Sequence, residues 1–267
     1  MDIVGETVED ESGTYEEKMK QLQGVFPTVS EGNLRKFLGF KDDVDRAISC
    51  LRGHIQFRTE NAWIDNPPLR AGEDPLLKKM LEEEIILQPD GSYDKQGRAI
   101  LWVCFRNNDM RDGRSPESVI RMAFYNMERL LMKPAAVENG VIIVYDLQGL
   151  ARHNLNIRIP RLIMPALSGG KMPMRVKGFN FVNPPVIFKG FLSVVKMLLS
   201  KKLRKRIRIW KSMDELEEII DRENFPQAYG GALEHDQKLW VEQEISSEQN
   251  RGPSSEPLLE ELVAVQC

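Results

Sequence analysis

The stretch Val186–Trp210, VIFKGFLSVVKMLLSKKLRKRIRIW, joins an apolar segment directly to a strongly basic one. On a helix over residues 186–200, the polar side chains fall on one narrow stripe, formed by Lys189, Ser193, Lys196 and Ser200. The apolar remainder is wider than the ~100° stripe that a surface helix needs to pack on its own domain. The pattern therefore predicts either a deeply buried helix, or a helix that covers an apolar ligand cavity or touches a bilayer.

The basic half contains seven Lys or Arg residues and no acid between Lys201 and Lys211, although the whole chain has a net charge of −3. Four to eight bases beside an amphipathic helix are typical of a site for anionic lipid head groups. Nucleic-acid phosphates would attract the same bases, but neither interleaved aromatic residues nor a known reader motif accompanies them. We expect no nucleic-acid partner, and a solvated basic face remains the alternative to a lipid surface.

The rest of the composition favours a non-catalytic cytoplasmic protein. The three cysteines are scattered, which is typical of a reducing compartment, and no apolar run reaches the ~18–20 residues of a membrane span. The chain has no GxGxxG, GxSxG, HExxH or CxxC motif. We therefore predict no catalytic residue, no metal and no cofactor, with a hydrolase as a remote alternative.

Composition and periodicity divide the chain into four parts. Residues 1–13 are acidic and predicted to be disordered, and residues 14–74 form a small helical unit. Residues 75–233 carry the main domain, and residues 234–267 form a polar tail in which some helix is possible.

Short apolar strands alternate with helices in the main domain. Strands are predicted over 99–106, 140–149, 172–183 and 206–210, and helices over 115–133, 159–169, 186–200 and 213–222. Crossovers of this length imply a largely parallel sheet with helices on its faces. The predicted fold class is α/β, with the helical unit preceding a mostly parallel sheet flanked by helices.

Four motifs in order resemble one known family. They are NLRKFLGFKDDVDRAISCLRGHIQFR (33–58), GVIIVYDLQGL (140–150), VKGFNFVNPPVIFKGFLSVVKMLLSKKLRKRI (176–207) and FPQAYGG (225–231). Together they resemble the CRAL-TRIO lipid-binding family, in particular its alpha-tocopherol transfer and cellular retinaldehyde-binding branch. The resemblance covers residues 14–231. The N-terminal part also faintly resembles a ubiquitin-binding CUE module.

The resemblance implies a carrier with a mobile lid helix, Val186–Leu199, over a hydrophobic cavity. The bound molecule would be a small tocopherol-like or retinoid-like lipid, transferred at phosphoinositide-containing membranes by transient contact. The alternative is a lipid sensor or adaptor that does not transfer its ligand. The ligand itself is left open among tocopherol, retinoid, squalene-like lipid and phospholipid.

The resemblance also assigns residues. The matched cavity positions are Ile120, Ala123, Met127, Val141, Tyr145, Leu167, Val176, Phe179, Ile187, Phe191 and Val194, and the matched phosphoinositide positions are Arg175, Lys177, Lys202 and Arg206. Tyr145 and His153 are the candidates for polar contacts to the ligand. The family's lid proline is replaced in KMLL (196–199), which predicts a straighter or longer lid helix.

Overall fold

The computed structural model describes residues 13–41 and 43–251. The helices are α1 (Tyr15–Val25), α2 (Glu31–Lys41), α3 (Val44–Glu60), α4 (Pro75–Glu82), α5 (Pro116–Leu130), α6 (Pro134–Glu138), α7 (Arg158–Ser168), α8 (Phe188–Leu198), α9 (Lys201–Arg204) and α10 (Gln237–Arg251). The strands are β1 (Ile86–Leu87), β2 (Ala99–Cys104), β3 (Val141–Asp146), β4 (Val176–Val182) and β5 (Ile207–Trp210). The predicted disordered segment lies almost wholly outside the described residues, and so does the end of the predicted tail.

The five strands form one sheet in the order β1-β2-β3-β4-β5. Strand β1 is antiparallel to β2, and the pairs β2–β3, β3–β4 and β4–β5 are parallel. Strands β2 to β4 are apolar and almost fully buried, as expected for parallel strands covered on both faces. Helices α5, α7 and α8 lie in the crossovers, so the predicted α/β class is confirmed.

The two faces of the sheet are covered differently. The first presents Leu101, Val103, Ile143, Tyr145, Phe179 and Phe181 toward α5, α7 and α8. The second presents Ile100, Trp102, Ile142, Val144, Val182 and Trp210 toward the segment that follows β5. Leu216, Ile220 and Phe225 of that segment are fully buried against the second face. This face is therefore closed by ordinary packing.

The predicted helix over 213–222 is wrong. The chain forms only a 3-10 segment, Asp214–Glu218, before it turns. The backbone N–H of Lys95 donates to the carbonyl of Ile219 at 2.9 Å, so that carbonyl is unavailable to a continuing helix.

Helices α1 to α3 have a hydrophobic core of their own, centred on Leu22, Leu34 and Leu51. Two side chains of α3 tie this unit to the loop after α7. The Cys50 thiol donates to the Gly170 carbonyl at 2.6 Å, and Nδ1 of His54 lies 2.5 Å from the Lys171 carbonyl oxygen. Because a carbonyl only accepts, Nδ1 must carry the proton. Burial, with Arg58 nearby, lowers the pKa of His54 to about 4, so the imidazole is neutral at pH 7.

Helix α10 packs against α4 and α5, so residues 237–251 of the predicted tail belong to the folded structure. Gln237 donates to the Leu81 carbonyl at 2.7 Å. The buried Glu248 carboxylate accepts hydrogen bonds from the Ala71 N–H at 3.1 Å, the Gly72 N–H at 3.0 Å and the Tyr125 hydroxyl at 2.7 Å. Among the described helices, none is long and apolar enough to cross a membrane.

We predict that Glu248→Ala lowers the free energy of unfolding by about 2–4 kcal/mol, because three donors lose a buried acceptor. Glu242→Ala is the matched control, since Glu242 is exposed on the same helix. Urea unfolding measures both. Equal stability of the two variants would contradict the anchoring role of Glu248.

We also predict a pH dependence from His54. Its pKa is about 4 in the fold against 6.5 for the free group, so between these pH values the unfolded chain binds more protons. The stability present above pH 6.5 should fall by about 3 kcal/mol as the pH drops toward 4. His54→Asn keeps a donor for Lys171 but cannot titrate, and should flatten the dependence. His235→Asn is the control, and an unchanged slope in His54→Asn would refute the assignment.

Candidate functional site

A cavity of about 120 Å³, counted as space open to the centre of a water-sized sphere, lies between the first face of the sheet and α5, α7 and α8. On that measure one water molecule needs about 10–15 Å³, so the cavity accommodates a much larger molecule. The residues that line it are apolar apart from Tyr145, Asn108 and Asn156, and none of the described lining residues is charged. Such a cavity suits a hydrocarbon-rich ligand.

Helical periodicity explains how α7 and α8 form this wall. The cavity-lining positions of α7 recur every three or four residues, at Ile159, Pro160, Ile163, Met164 and Leu167. From α8 and the residue that follows it, Phe191, Val195 and Leu199 line the cavity four residues apart. Both helices therefore direct one apolar face inward without filling the space.

Aromatic rings connect the sheet to α8. Tyr145 stacks between Phe105 at 5.6 Å and Phe181 at 4.8 Å, measured between ring centroids. Phe181 lies 5.0 Å from Phe188, which lies 6.0 Å from Phe191. This row holds the first turn of α8 against the sheet.

Helix α8 lies at the surface, which excludes the deeply buried helix. Lys189, Ser193 and Lys196 are exposed, as the polar stripe predicts. Apolar groups are exposed beside them, with Met197 at 70% and Val186 at 81% of their full accessible area. One side of the helix therefore covers the cavity, and the other offers apolar and basic groups to the surroundings.

The lid helix is slightly shorter than the predicted range Val186–Leu199, because α8 begins at Phe188. Helix α8 ends at Leu198, and Leu199 has an extended backbone. The Ser200 hydroxyl then accepts the Leu203 N–H at 3.3 Å and starts the separate helix α9. An N-cap residue thus starts a new helix three residues after Met197, which stands where the family has its lid proline.

Seven of the eleven predicted cavity residues line the cavity, namely Ile120, Ala123, Met127, Tyr145, Leu167, Phe179 and Phe191. The other four do not. Val141 and Val176 pair at the amino ends of β3 and β4, in the filled part of the core. Ile187 precedes α8, and Val194 lies on the flank of α8, about 100° from the lining positions. Contact between any of these residues and a lipid stays a prediction.

Motif matching missed most of the α7 wall, including Ile159, Ile163 and Met164. The apolar period of IPRLIMPAL was visible, but a period alone does not distinguish a cavity wall from core. Asn108 and Asn156 were also missed, since neither lies in a matched motif. His153, proposed as a polar contact, is half-buried and does not line the cavity.

The four predicted phosphoinositide residues lie together, near the amino ends of β4 and β5. Lys177 and Lys202 are exposed, whereas Arg175 and Arg206 are half-buried. Arg175 donates to the carbonyls of Val137 and Glu138, and Arg206 donates to the carbonyl of Val176. The two arginines are therefore held in place by backbone oxygens, and the two lysines are left facing solvent.

The lowered pKa of Lys177 indicates that these bases lie close to one another. Partial burial, followed by repulsion from Arg175, Arg206, Arg98 and Lys202, lowers the pKa of Lys177. Arg98 is paired with Asp94, but within the described chain none of the four predicted bases forms a salt bridge. We call Arg175, Lys177, Lys202 and Arg206 the basic cluster. It lies next to the end of α8, because Lys202 is on α9, the helix that follows α8 in the chain. An anion bound here would relieve the repulsion.

In the part of the chain that is described, no group of three or more His, Cys, Asp or Glu residues could hold a metal ion. Asp146, buried at the end of β3, forms an ion pair with Arg106 at 2.5 Å and accepts the Gln148 N–H at 3.0 Å. These contacts account for it as a structural residue.

Comparison with known proteins gives one family and several distant relatives. The model of the CRAL/TRIO domain matches residues 87–231. The human tyrosine-protein phosphatase non-receptor type 9 is 26% identical over 201 residues, which are 75% of this chain and 32% of the phosphatase. Mouse clavesin-2 is 26% identical over 213 residues, covering 78% of this chain and 62% of clavesin-2. This chain thus spans less than two thirds of both relatives.

An alpha-tocopherol transfer protein-like protein of Pongo abelii is 29% identical over 239 residues, which are 86% of this chain and 67% of that protein. Among solved structures, the crystal structure of Sfh5 superposes with a TM-score of 0.55 at 14% identity, covering 97% of this chain and 84% of that one. At that identity the similarity establishes the fold alone.

We predict that an enlarged side chain is tolerated in the cavity and not in the packed core. Ala123→Leu adds volume to the cavity wall and should leave the unfolding free energy of delipidated protein unchanged or higher. Ala136→Leu is the matched control at a fully packed position and should cost about 1–3 kcal/mol. Urea unfolding compares them, and an equal loss in both would mean that the space at Ala123 is already filled.

Proposed function

This chain belongs to the CRAL/TRIO domain family of lipid-binding and lipid-transfer proteins, and on that premise we propose that it is a cytoplasmic lipid carrier. It holds one small hydrophobic lipid in the cavity and exchanges it at phosphoinositide-containing membranes. The process involves binding and release without chemical change of the lipid. A tocopherol-like or retinoid-like cargo is consistent with the printed name of the Pongo abelii relative.

The observation that carries this proposal is an apolar cavity closed by a surface helix. Removing a lipid chain from water into such walls stabilises the complex by roughly 0.8 kcal/mol per buried methylene. A long hydrocarbon would therefore be held tightly without any covalent chemistry. Because α8 contributes to the cavity wall and lies at the surface, displacement of α8 would provide a route for entry and exit.

The basic cluster supports the membrane part of the proposal. Each base near an anionic bilayer contributes roughly 1 kcal/mol of attraction. The exposed Met197 and Val186 add apolar contact beside these bases, which gives the two signals that reversible docking requires. Docking would bring α8 against the bilayer, where its inner apolar face can be exposed at little cost.

A lipid sensor or adaptor is the second candidate. In the human phosphatase the matched region is only 32% of a longer protein, so the same domain accompanies a further activity there. A sensor would bind lipid and membrane in the same way but would not deliver the cargo.

We predict that the double variant Lys177→Glu, Lys202→Glu binds vesicles containing a phosphoinositide at least tenfold more weakly than the wild type. The matched control is Lys20→Glu, Lys238→Glu, which changes the net charge equally at exposed sites outside the cluster. Vesicle co-sedimentation at fixed salt measures both. Equal weakening in both variants would attribute binding to net charge and refute the site.

Two measurements separate a carrier from a sensor. Mass spectrometry of solvent extracts of the protein from its native cells should find one stoichiometric lipid. That lipid should then move between two vesicle populations faster in the presence of the protein. Stoichiometric binding without accelerated movement would favour the sensor, and failure to bind any apolar lipid would refute both functions.

A further inference from the structure

Building on the carrier proposal, we infer that the cavity orients its cargo, and that Tyr145, Asn108 and Asn156 select an uncharged lipid bearing a hydroxyl group. Among the residues that line the cavity, these three have polar side chains. They mark one end of it, and the opposite end is purely apolar.

The three residues meet at the carboxyl ends of β2 and β3. Tyr145 is the penultimate residue of β3, and Asn108 lies four residues after β2. Asn156 lies in the loop between β3 and α7. Reciprocal hydrogen bonds of 3.2 Å between Asn108 and Asn154 join the two loops. This end of the cavity is therefore a defined structure.

The other end is apolar because of the topology. A crossover helix runs back from the carboxyl end of one parallel strand to the amino end of the next. The last turns of α5, α7 and α8 therefore lie near the amino ends of the strands. These turns contribute Met127, Leu167 and the adjoining Leu199 to the wall. A hydrocarbon tail fits that end, with the polar group at Tyr145.

Asn108 needs a donor. Its side chain is 2% exposed, and its Nδ2 donates to the Asn154 carbonyl. Its Oδ1 is buried and has no hydrogen-bond partner in the part of the chain that is described. Rotating the amide would place Oδ1 against the Asn154 carbonyl, so the orientation is set. A buried acceptor without a partner is costly, and a ligand hydroxyl would satisfy it.

Tyr145 and Asn156 can donate. The Tyr145 hydroxyl forms no hydrogen bond with the described residues, and burial raises its pKa, so it remains protonated. Stacking against Phe105 and Phe181 restricts its ring. Asn156 Oδ1 accepts the Arg158 N–H at 2.9 Å, which leaves the amide N–H₂ of Asn156 as the donor group. The set thus combines donors with an acceptor.

This combination excludes several lipid classes. A carboxylate or phosphate in the cavity would lose its hydration without a cation, since none lines the wall. A pure hydrocarbon would leave Asn108 without a partner. A hydroxyl group both donates and accepts, so a neutral lipid alcohol matches the three side chains.

The test uses the delipidated full chain with hexadecanol and hexadecane as probes, and native mass spectrometry to measure competition. Tyr145→Phe keeps the ring stack and removes the hydroxyl. It should weaken hexadecanol binding about fivefold and leave hexadecane binding unchanged. Tyr229→Phe is the matched control, because Tyr229 stacks on Trp102 on the other face of the sheet, and it should change neither affinity.

A second measurement needs no variant. The wild-type protein should bind hexadecanol more tightly than 1-methoxyhexadecane, since the ether cannot donate to Asn108. The ratio of the two affinities should exceed the ratio that their alkane–water partition predicts by at least threefold. This inference would be overturned if the affinities followed partition alone, or if Tyr145→Phe weakened the binding of hexadecanol and hexadecane equally. Either result would leave the carrier proposal intact. Binding of neither probe would overturn both.

Discussion

The structure depends on removing two apolar faces of one sheet from water. On the second face, Trp102 meets Phe225 at 5.4 Å and Tyr229 at 5.2 Å, and the space is filled. On the first face, α5, α7 and α8 cover the strands but stand away from them, and the gap remains as a cavity. An empty apolar gap forfeits dispersion contacts along its whole wall. Such an arrangement is costly for a protein that carries nothing and useful for one that carries a lipid.

The surrounding elements supply the rigidity that the cavity lacks. His54 and Cys50 fasten the N-terminal helices to the loop after α7, and Glu248 fastens α10 to the linker and to α5. The side chains of Cys50, His54 and Glu248 are buried, which makes the loss of their hydrogen bonds costly. Helix α8 has few comparable polar ties: its described hydrogen bonds to other elements are confined to Ser168, which donates to the Leu198 carbonyl at 3.5 Å. Movement should therefore concentrate at α8.

The basic cluster lies beside the apolar helix α8. It lies next to the end of α8, because α9 carries Lys202 and Arg206 immediately precedes β5. Backbone carbonyls hold the arginines, and no acid within the described chain neutralises the group. Binding to an anionic surface would thus occur beside the helix that covers the cavity, which couples docking physically to access.

Much of this was readable from sequence. The period of Val186–Leu199 predicted an apolar helix before a basic segment but left open whether that helix is buried, covers a cavity or touches a bilayer, and strand–helix alternation predicted the parallel sheet. The resemblance to the family assigned eleven cavity positions, and seven of them line the cavity. Period does not report whether the inward space is filled, and so Val141 and Val176 belong to core. Only tertiary structure could bring Asn108 and Asn156 to Tyr145, because two loops distant in sequence meet at the carboxyl ends of neighbouring parallel strands.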